Sequence, residues 1–311
     1  MEDLTMKIKK VFIPILLCAL FMTSCSMPDE EGAVSSNPQA DTSSVLSLPD
    51  PMPEESTPIA SEVPLTSSEM EENVEAQANV SALPTLDNTK LGWGQGNNKN
   101  EKNQPLGCLD YQEKYGKYDA YYIDQNENNV YLTFDEGYEN GYTSQILDVL
   151  KEKKVQAVFF ITYDYAKRNP ELVQRMIDEG HAVGNHTWSH PSMPEVSTDD
   201  AKEEVLKLHE YVRDHFKYEM TLFRFPKGEF SEQTLALLQS LNYKSIFWSY
   251  AYADWDPDNQ MDTNTTLQKL CDNCHGGAIY LLHAVSKTNT EILGQAIDAI
   301  QAKGYHFELL Q

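Results

Sequence analysis

From about residue 128 onward the chain alternates short apolar runs with stretches whose apolar residues recur at helical spacing, and this restricts the fold more than any other feature. Val130–Phe134 reads as a buried strand that runs into the acidic pair Asp135 and Glu136. Thr143–Lys153 has apolar residues at 146, 147 and 150 and reads as a helix that Thr143 or Ser144 could cap. Ala157–Ile161 is a second strand, Pro170 opens a helix closed by Gly180, His181–Gly184 is a third strand, and Asp199–Phe216 is a longer helix. Further strands are expected near 221–225, 244–249, 277–283 and 305–310, with helices at 231–241, 262–273 and 288–303. Such alternation implies an α/β fold, a parallel sheet covered by helices, as a barrel or doubly wound. In either, chemistry gathers at the C-terminal ends of the strands. Asp135, Glu136, His186, His190, Arg224, Asp254 and His283 all fall at such ends.

Upstream the sequence changes character. Lys7, Lys9 and Lys10 precede an apolar run from Val11 to Phe21 and then Met22-Thr23-Ser24-Cys25. A basic start, a short apolar core and small residues make a secretory signal, and the run is too short for a membrane-spanning helix of about 20 residues. The terminal cysteine resembles the lipobox of bacterial lipoproteins, which makes residues 1–25 a lipoprotein signal peptide and Cys25 the lipidation site. Residues 26–89 hold thirteen acidic side chains, no Lys or Arg, and eight of the 15 prolines. Such a segment cannot bury enough apolar surface to offset chain entropy, so a disordered, self-repelling tether is expected. Of the chain's formal charge of −24, the signal carries +1 and the tether −13, which leaves −12 for residues 90–311. Those 222 residues read as one domain, and their acidity argues against nucleic acid as a partner.

Each reactive residue has an ordinary reading when taken alone. Asp135 and Glu136 could simply form a turn before Gly137. His186 and His190 lie four apart, which on a helical turn would put both imidazoles on one face, suited to a divalent metal; solvent-facing or hydrogen-bonded core histidines are the alternative. Arg224 alone would be an ion-pair residue, and His283 a core histidine ending a strand. Their joint occurrence in one order is what argues for a site.

The segments Thr133-Phe134-Asp135-Glu136-Gly137, His186-Thr187-Trp188-Ser189-His190, Arg224-Phe225-Pro226-Lys227-Gly228, Asp254-Trp255 and Leu281-Leu282-His283 resemble, in order, the motifs of the polysaccharide deacetylases (NodB homology domain, carbohydrate esterase family 4). The strongest likeness is to the delta-lactam-biosynthetic de-N-acetylases, which act on muramic acid in peptidoglycan. The resemblance implies a distorted (β/α) barrel of about seven strands and hydrolysis of an N-acetyl amide. It implies that Asp135 is the general base, held by Arg224, and that His283 is the general acid, supported by Asp254. It also implies that Glu136, His186 and His190 bind a divalent metal, zinc first, with manganese, cobalt or magnesium as alternatives. Trp255 and Leu281 would shape a pocket for the acetyl methyl group.

The chain departs from the family twice. Glu136 stands where most members have a second Asp, and Ala251 where the motif after the fifth strand usually has its first Asp. Cys271-Asp272-Asn273-Cys274-His275 spells a C-x-x-C-H haem-attachment pattern, read here as two thiols or a strained vicinal disulfide. The expectation is a monomeric peptidoglycan deacetylase, lipid-anchored on the outer face of the bacterial membrane and linked to cell-wall or spore-cortex processing. Alternatives are a deacetylase of N-acetylglucosamine polymers or acetylated xylan, and a cell-wall-binding lipoprotein without catalysis.

Overall fold

The computed structural model describes residues 85–311. The signal segment with Cys25, and the linker up to residue 84, lie outside the described residues. Asp87 and Asn88 already touch the domain: the Asp87 carbonyl accepts from the Gln233 N–H (3.1 Å), and the Asn88 amide donates to the Pro194 carbonyl (3.1 Å).

The strands are β1 (Leu91–Gly92), β2 (Ala120–Tyr121), β3 (Asn129–Glu136), β4 (Val158–Ile161), β5 (Ala182–Asn185), β6 (Leu222–Phe223), β7 (Glu229–Phe230), β8 (Lys244–Ile246), β9 (Tyr250–Ala251), β10 (Ala278–His283) and β11 (His306–Phe307). β1 and β7 form a small antiparallel pair. The others make one curled parallel sheet in the order β2-β8-β6-β5-β4-β3-β10-β9, with β11 on β3. β4 begins pairing only at Thr133, and β11 pairs at Asn129 and Val130, so the two use different lengths of β3. The sheet holds nine strands where about seven were expected, and several are only two residues long. The curl is completed by chain continuity, since Phe247–Ser249 carry the backbone from β8 to β9 at the other end of the strand order.

Strand alternation sorts side chains to two faces. Tyr131, Val158, Phe160, Ala182, Leu222, Ile246 and Ile279 point inward and, with Leu309 and Leu310, fill the interior below the site. Gly184 makes this possible, because a Cβ there would sit 2.3 Å from the Phe160 ring. Phe134, Phe159, Val183 and Leu282 point outward into the larger core beneath the helices.

The helices follow their apolar spacing, with local differences. Thr198–Phe216 is capped by Ser197, whose hydroxyl accepts from the Asp200 N–H (3.1 Å). Thr143–Lys153 forms as expected, yet neither Thr143 nor Ser144 is its cap; Tyr142 holds that position without a side-chain bond, and the Thr143 hydroxyl donates to Glu139. Leu106–Tyr115 and Tyr163–Arg168 are further helices. Cys108, Cys271 and Cys274 are free thiols. Both ring nitrogens of buried His275 are engaged, by the Asn273 carbonyl and the Ser249 hydroxyl (each 2.8 Å), so the C-x-x-C-H histidine has no free lone pair.

Candidate active site

The C-terminal ends of the inner strands open into a cavity of about 640 Å³, lined by Asp135, His186, His190, Lys227, Leu281 and His283 among others. β3 delivers Asp135 to the inner face, one pleat beyond Thr133. Arg224 follows β6 and is wholly buried. Its Nη1 donates to Asp135 Oδ1 (2.9 Å) and to the Thr133 hydroxyl (2.7 Å), while Nε and Nη2 donate to the Ile246 and Phe247 carbonyls (3.0 and 3.1 Å). The guanidinium lies 4.3 Å over the Phe160 ring. An arginine held at four points presents a fixed charge to one carboxylate. Burial by itself would raise the Asp135 carboxyl, but Arg224, helped by His186 and His283, outweighs it and holds the group below its ordinary range.

His283 closes β10. Its Nδ1 bonds Asp254 Oδ1 (2.7 Å), and its backbone N–H donates to Asp254 Oδ2 (2.8 Å). Burial opposes protonation of this imidazole, but the bond to Asp254 and that residue's charge prevail and raise its pKa. With Nδ1 occupied, Nε2 is the nitrogen left to carry a proton into the cavity. Asp254 is itself fixed by the Asn289 amide (2.6 Å), and Asn289 in turn bonds the Tyr252 hydroxyl.

His186 and His190 do not lie on a helical turn. Thr187 and His190 have φ of 73° and 60°, a left-handed backbone that costs about 1–2 kcal/mol per residue. The strain is offset locally: Asn185 accepts from the Thr187 N–H, and the Thr187 hydroxyl accepts from the His190 N–H (both 2.9 Å). The loop nevertheless brings the two rings to 4.8 Å. His186 Nδ1 donates to the Arg224 carbonyl (2.8 Å), which leaves the Nε2 lone pair toward the cavity. Burial lowers both imidazoles, His190 to about 4, so both are neutral near pH 7. Two neutral, oriented imidazoles fit a divalent cation.

Glu136 does not join them. One residue beyond Asp135 on β3, it faces the outer side, and both carboxylate oxygens are buried without a hydrogen-bond partner. Burial, then Glu139 and Asp135, push its carboxyl well above the ordinary range. The carboxylate that does face His186 is Asp135, with Oδ2 3.6 Å from Nε2. Among the described residues no three His, Cys, Asp or Glu side chains are gathered closely enough to hold an ion. The two histidines therefore fit the implied metal, and Glu136 as their third partner does not.

Leu281 is a buried wall of the cavity, whereas Trp255 stands at its mouth, 57% exposed, with its ring 6.1 Å from that of His283. Ala251 also lines the cavity. Sequence reasoning gave no role to Asn289, whose only sign is its position in the helix Lys287–Ala302 that follows His283, or to Lys227.

Residues 122–246 match the family model described as polysaccharide deacetylase. The chain is 38% identical over 233 residues to the peptidoglycan-N-acetylmuramic acid deacetylase PdaA of Bacillus subtilis, covering 74% of this chain and 87% of that one. The solved PdaA structure, a family 4 carbohydrate esterase, superposes with a TM-score of 0.68, covering 72% of this chain and 96% of that one at 37% identity. A family 4 carbohydrate esterase from Bacillus anthracis gives a TM-score of 0.60 at 40% identity, covering 72% and 95%. A peptidoglycan-N-acetylglucosamine deacetylase of Bacillus cereus is 31% identical over 189 residues, covering 60% and 68%. The chain belongs to the polysaccharide deacetylases of carbohydrate esterase family 4, hydrolases of amide bonds.

Proposed function

We propose that this enzyme removes the N-acetyl group of N-acetylmuramic acid in peptidoglycan, as in the muramic delta-lactam route, and releases acetate. The observation that carries the reading is the pairing, on adjacent strand ends at one cavity, of a carboxylate bound by Arg224, which lowers its pKa, and an imidazole bound by Asp254, which raises its own. Asp135 takes a proton from the attacking water as its oxygen bonds the acetyl carbon. His283 gives its Nε2 proton to the amide nitrogen as the C–N bond breaks, leaving a free amine and acetate. Arg224 holds the base in place and ionised, and Asp254 holds the acid. Leu281, a wall of the cavity, would meet the acetyl methyl group. A divalent ion, zinc in the first instance and manganese, cobalt or magnesium otherwise, would be held by His186 and His190. It would polarise the carbonyl and acidify the attacking water.

The resemblance of PdaA, named for N-acetylmuramic acid, supports this substrate over N-acetylglucosamine polymers or acetylated xylan. The lipoprotein-like segment ending at Cys25 supports a membrane-tethered enzyme acting on the wall from outside the cell. The test is acetate release from peptidoglycan stripped of its peptides by an amidase, beside chitin oligomers and acetylated xylan. Release from chitin or xylan alone overturns the muramic acid reading.

A further inference from the structure

The two carboxylates of the catalytic set each have a partner, Asp135 in Arg224 and Asp254 in His283. Lys227 is the only lysine or arginine among the residues that line the cavity. Its side chain is exposed, and its ammonium makes no ion pair among the described residues. Glu195, an acid whose charge it feels weakly, is bound instead by Lys90 at 2.8 Å.

The backbone is shaped to put it there. Phe225-Pro226-Lys227-Gly228 is a reverse turn closed by the Gly228 N–H on the Phe225 carbonyl (3.0 Å). Lys227 sits at its third position with φ 59° and ψ 6°, where such turns favour Gly or Asn. The turn is clamped on its far side, since the Gly228 carbonyl accepts from the Trp93 N–H (2.9 Å), and a Cβ on Gly228 would stand 2.8 Å from Trp248. Lys227 is thus held by a fixed turn at the cavity wall, with no acid among the described residues to pair its ammonium.

We propose that Lys227 forms an anion subsite that takes the lactyl carboxylate of a muramic acid residue without its peptide. This rests on the deacetylase reading above. Muramic acid carries its lactyl ether on the ring carbon next to the one bearing the N-acetyl group. When that amide lies between Asp135 and His283, the carboxylate therefore lies a few ångströms to one side, within the same cavity. A stem peptide converts the carboxylate to a neutral amide and removes the charge Lys227 would meet. N-acetylglucosamine never has it.

The test compares amidase-stripped glycan bearing free lactyl carboxylates with the same glycan after methyl esterification. Wild-type enzyme should prefer the free acid by roughly tenfold or more in kcat/KM, mostly through KM, as a charge-assisted bond contributes. Lys227→Gln should collapse this preference, and Lys227→Arg should retain it. Lys227→Gly, which relaxes the turn, should lose the preference while melting no lower than wild type. A preference that survives in Lys227→Gln, or equal losses on both substrates, overturns the subsite. Binding of both glycans to Asp135→Asn protein, with and without Lys227→Gln, reads the subsite independently of turnover. Lys227-dependent binding without acetate release by the wild type would sink the deacetylase reading alone, and acetate release without it would sink the subsite alone.

Discussion

Asp135 and His283 are register partners on the adjacent parallel strands β3 and β10, so the proposed base and acid stand side by side at two strand ends. Their separation is set by the spacing of the sheet, about 4.8 Å between strands. Opposite environments then shift their pKa values in opposite directions, Arg224 lowering one and Asp254 raising the other.

A bell-shaped pH dependence of kcat/KM follows. Turnover needs Asp135 ionised and His283 protonated, so the acid limb should lie below the ordinary carboxylate range and the alkaline limb above the ordinary imidazole value. Asp254→Asn removes the group that raises His283, so its alkaline limb should move to lower pH. Rates measured from pH 4 to 10 with Asp254→Asn check this; an unmoved alkaline limb means that His283 is not the acid. Asp135→Asn and His283→Ala should each lose on the order of a hundredfold or more in kcat.

Arg224 and Asp135 also bear on stability. Arg224→Met leaves a buried carboxylate without its partner and should destabilise the domain by about 3–5 kcal/mol, read from denaturant melts. In the double variant with Asp135→Asn much of that loss should return, because the uncompensated charge is gone. The folded-state pKa of Asp135 is lowered, so the wild-type pairing contributes fully above the unfolded carboxyl value and is lost as pH falls through the folded one. Stability curves of wild type and Arg224→Met should therefore converge at acid pH.

What could be read from the sequence was whatever repeats along one chain segment. Strand β3, the helix Thr143–Lys153 and the placement of Asp135, Arg224, Asp254 and His283 at strand ends all follow from local periodicity. The direction of Glu136 was harder, since the chemistry of a carboxylate says nothing of which pleat it occupies; neighbouring residues at a strand end face opposite sides. The histidine pair converges through two left-handed residues in a loop, Thr187 and His190, which residue spacing does not encode. Asn289 reaches Asp254 from 35 positions away, a contact made by the fold alone.

Glu136 gives the sharpest separation between site and core. Burial holds its carboxyl well above the ordinary range, so at neutral pH folding must protonate a group that is ionised in the unfolded chain. Glu136→Gln removes that cost and should raise stability at neutral pH, with the gain fading as pH falls through the unfolded carboxyl value. Zinc affinity, measured by titration calorimetry, should stay within about twofold of wild type, well short of the 10–100-fold that removing a site contact costs. His190→Ala should weaken the same titration strongly. A marked loss of affinity in Glu136→Gln would return Glu136 to the metal site.

Asn289 is a positioning residue: it bonds Asp254 and, at 3.4 Å, the backbone carbonyl of His283, and it makes no bond to the imidazole that would carry the proton. Its amide donates to Asp254 Oδ2 at 2.6 Å, the same oxygen that receives the His283 backbone N–H at 2.8 Å. Removing it frees the carboxylate to turn and loosens its hold on the imidazole. Asn289→Ala should lower kcat by roughly tenfold, the worth of one hydrogen bond to a charged group, with KM little changed. A purely structural role would lower the melting temperature and leave the pH profile in place, whereas loss of support for His283 must also move the alkaline limb downward. Asn289→Asp would put a second carboxylate against Asp254, and the repulsion should cost more activity than Asn289→Ala does. If Asn289→Ala changes the melting temperature alone, Asp254 holds His283 without help from this helix.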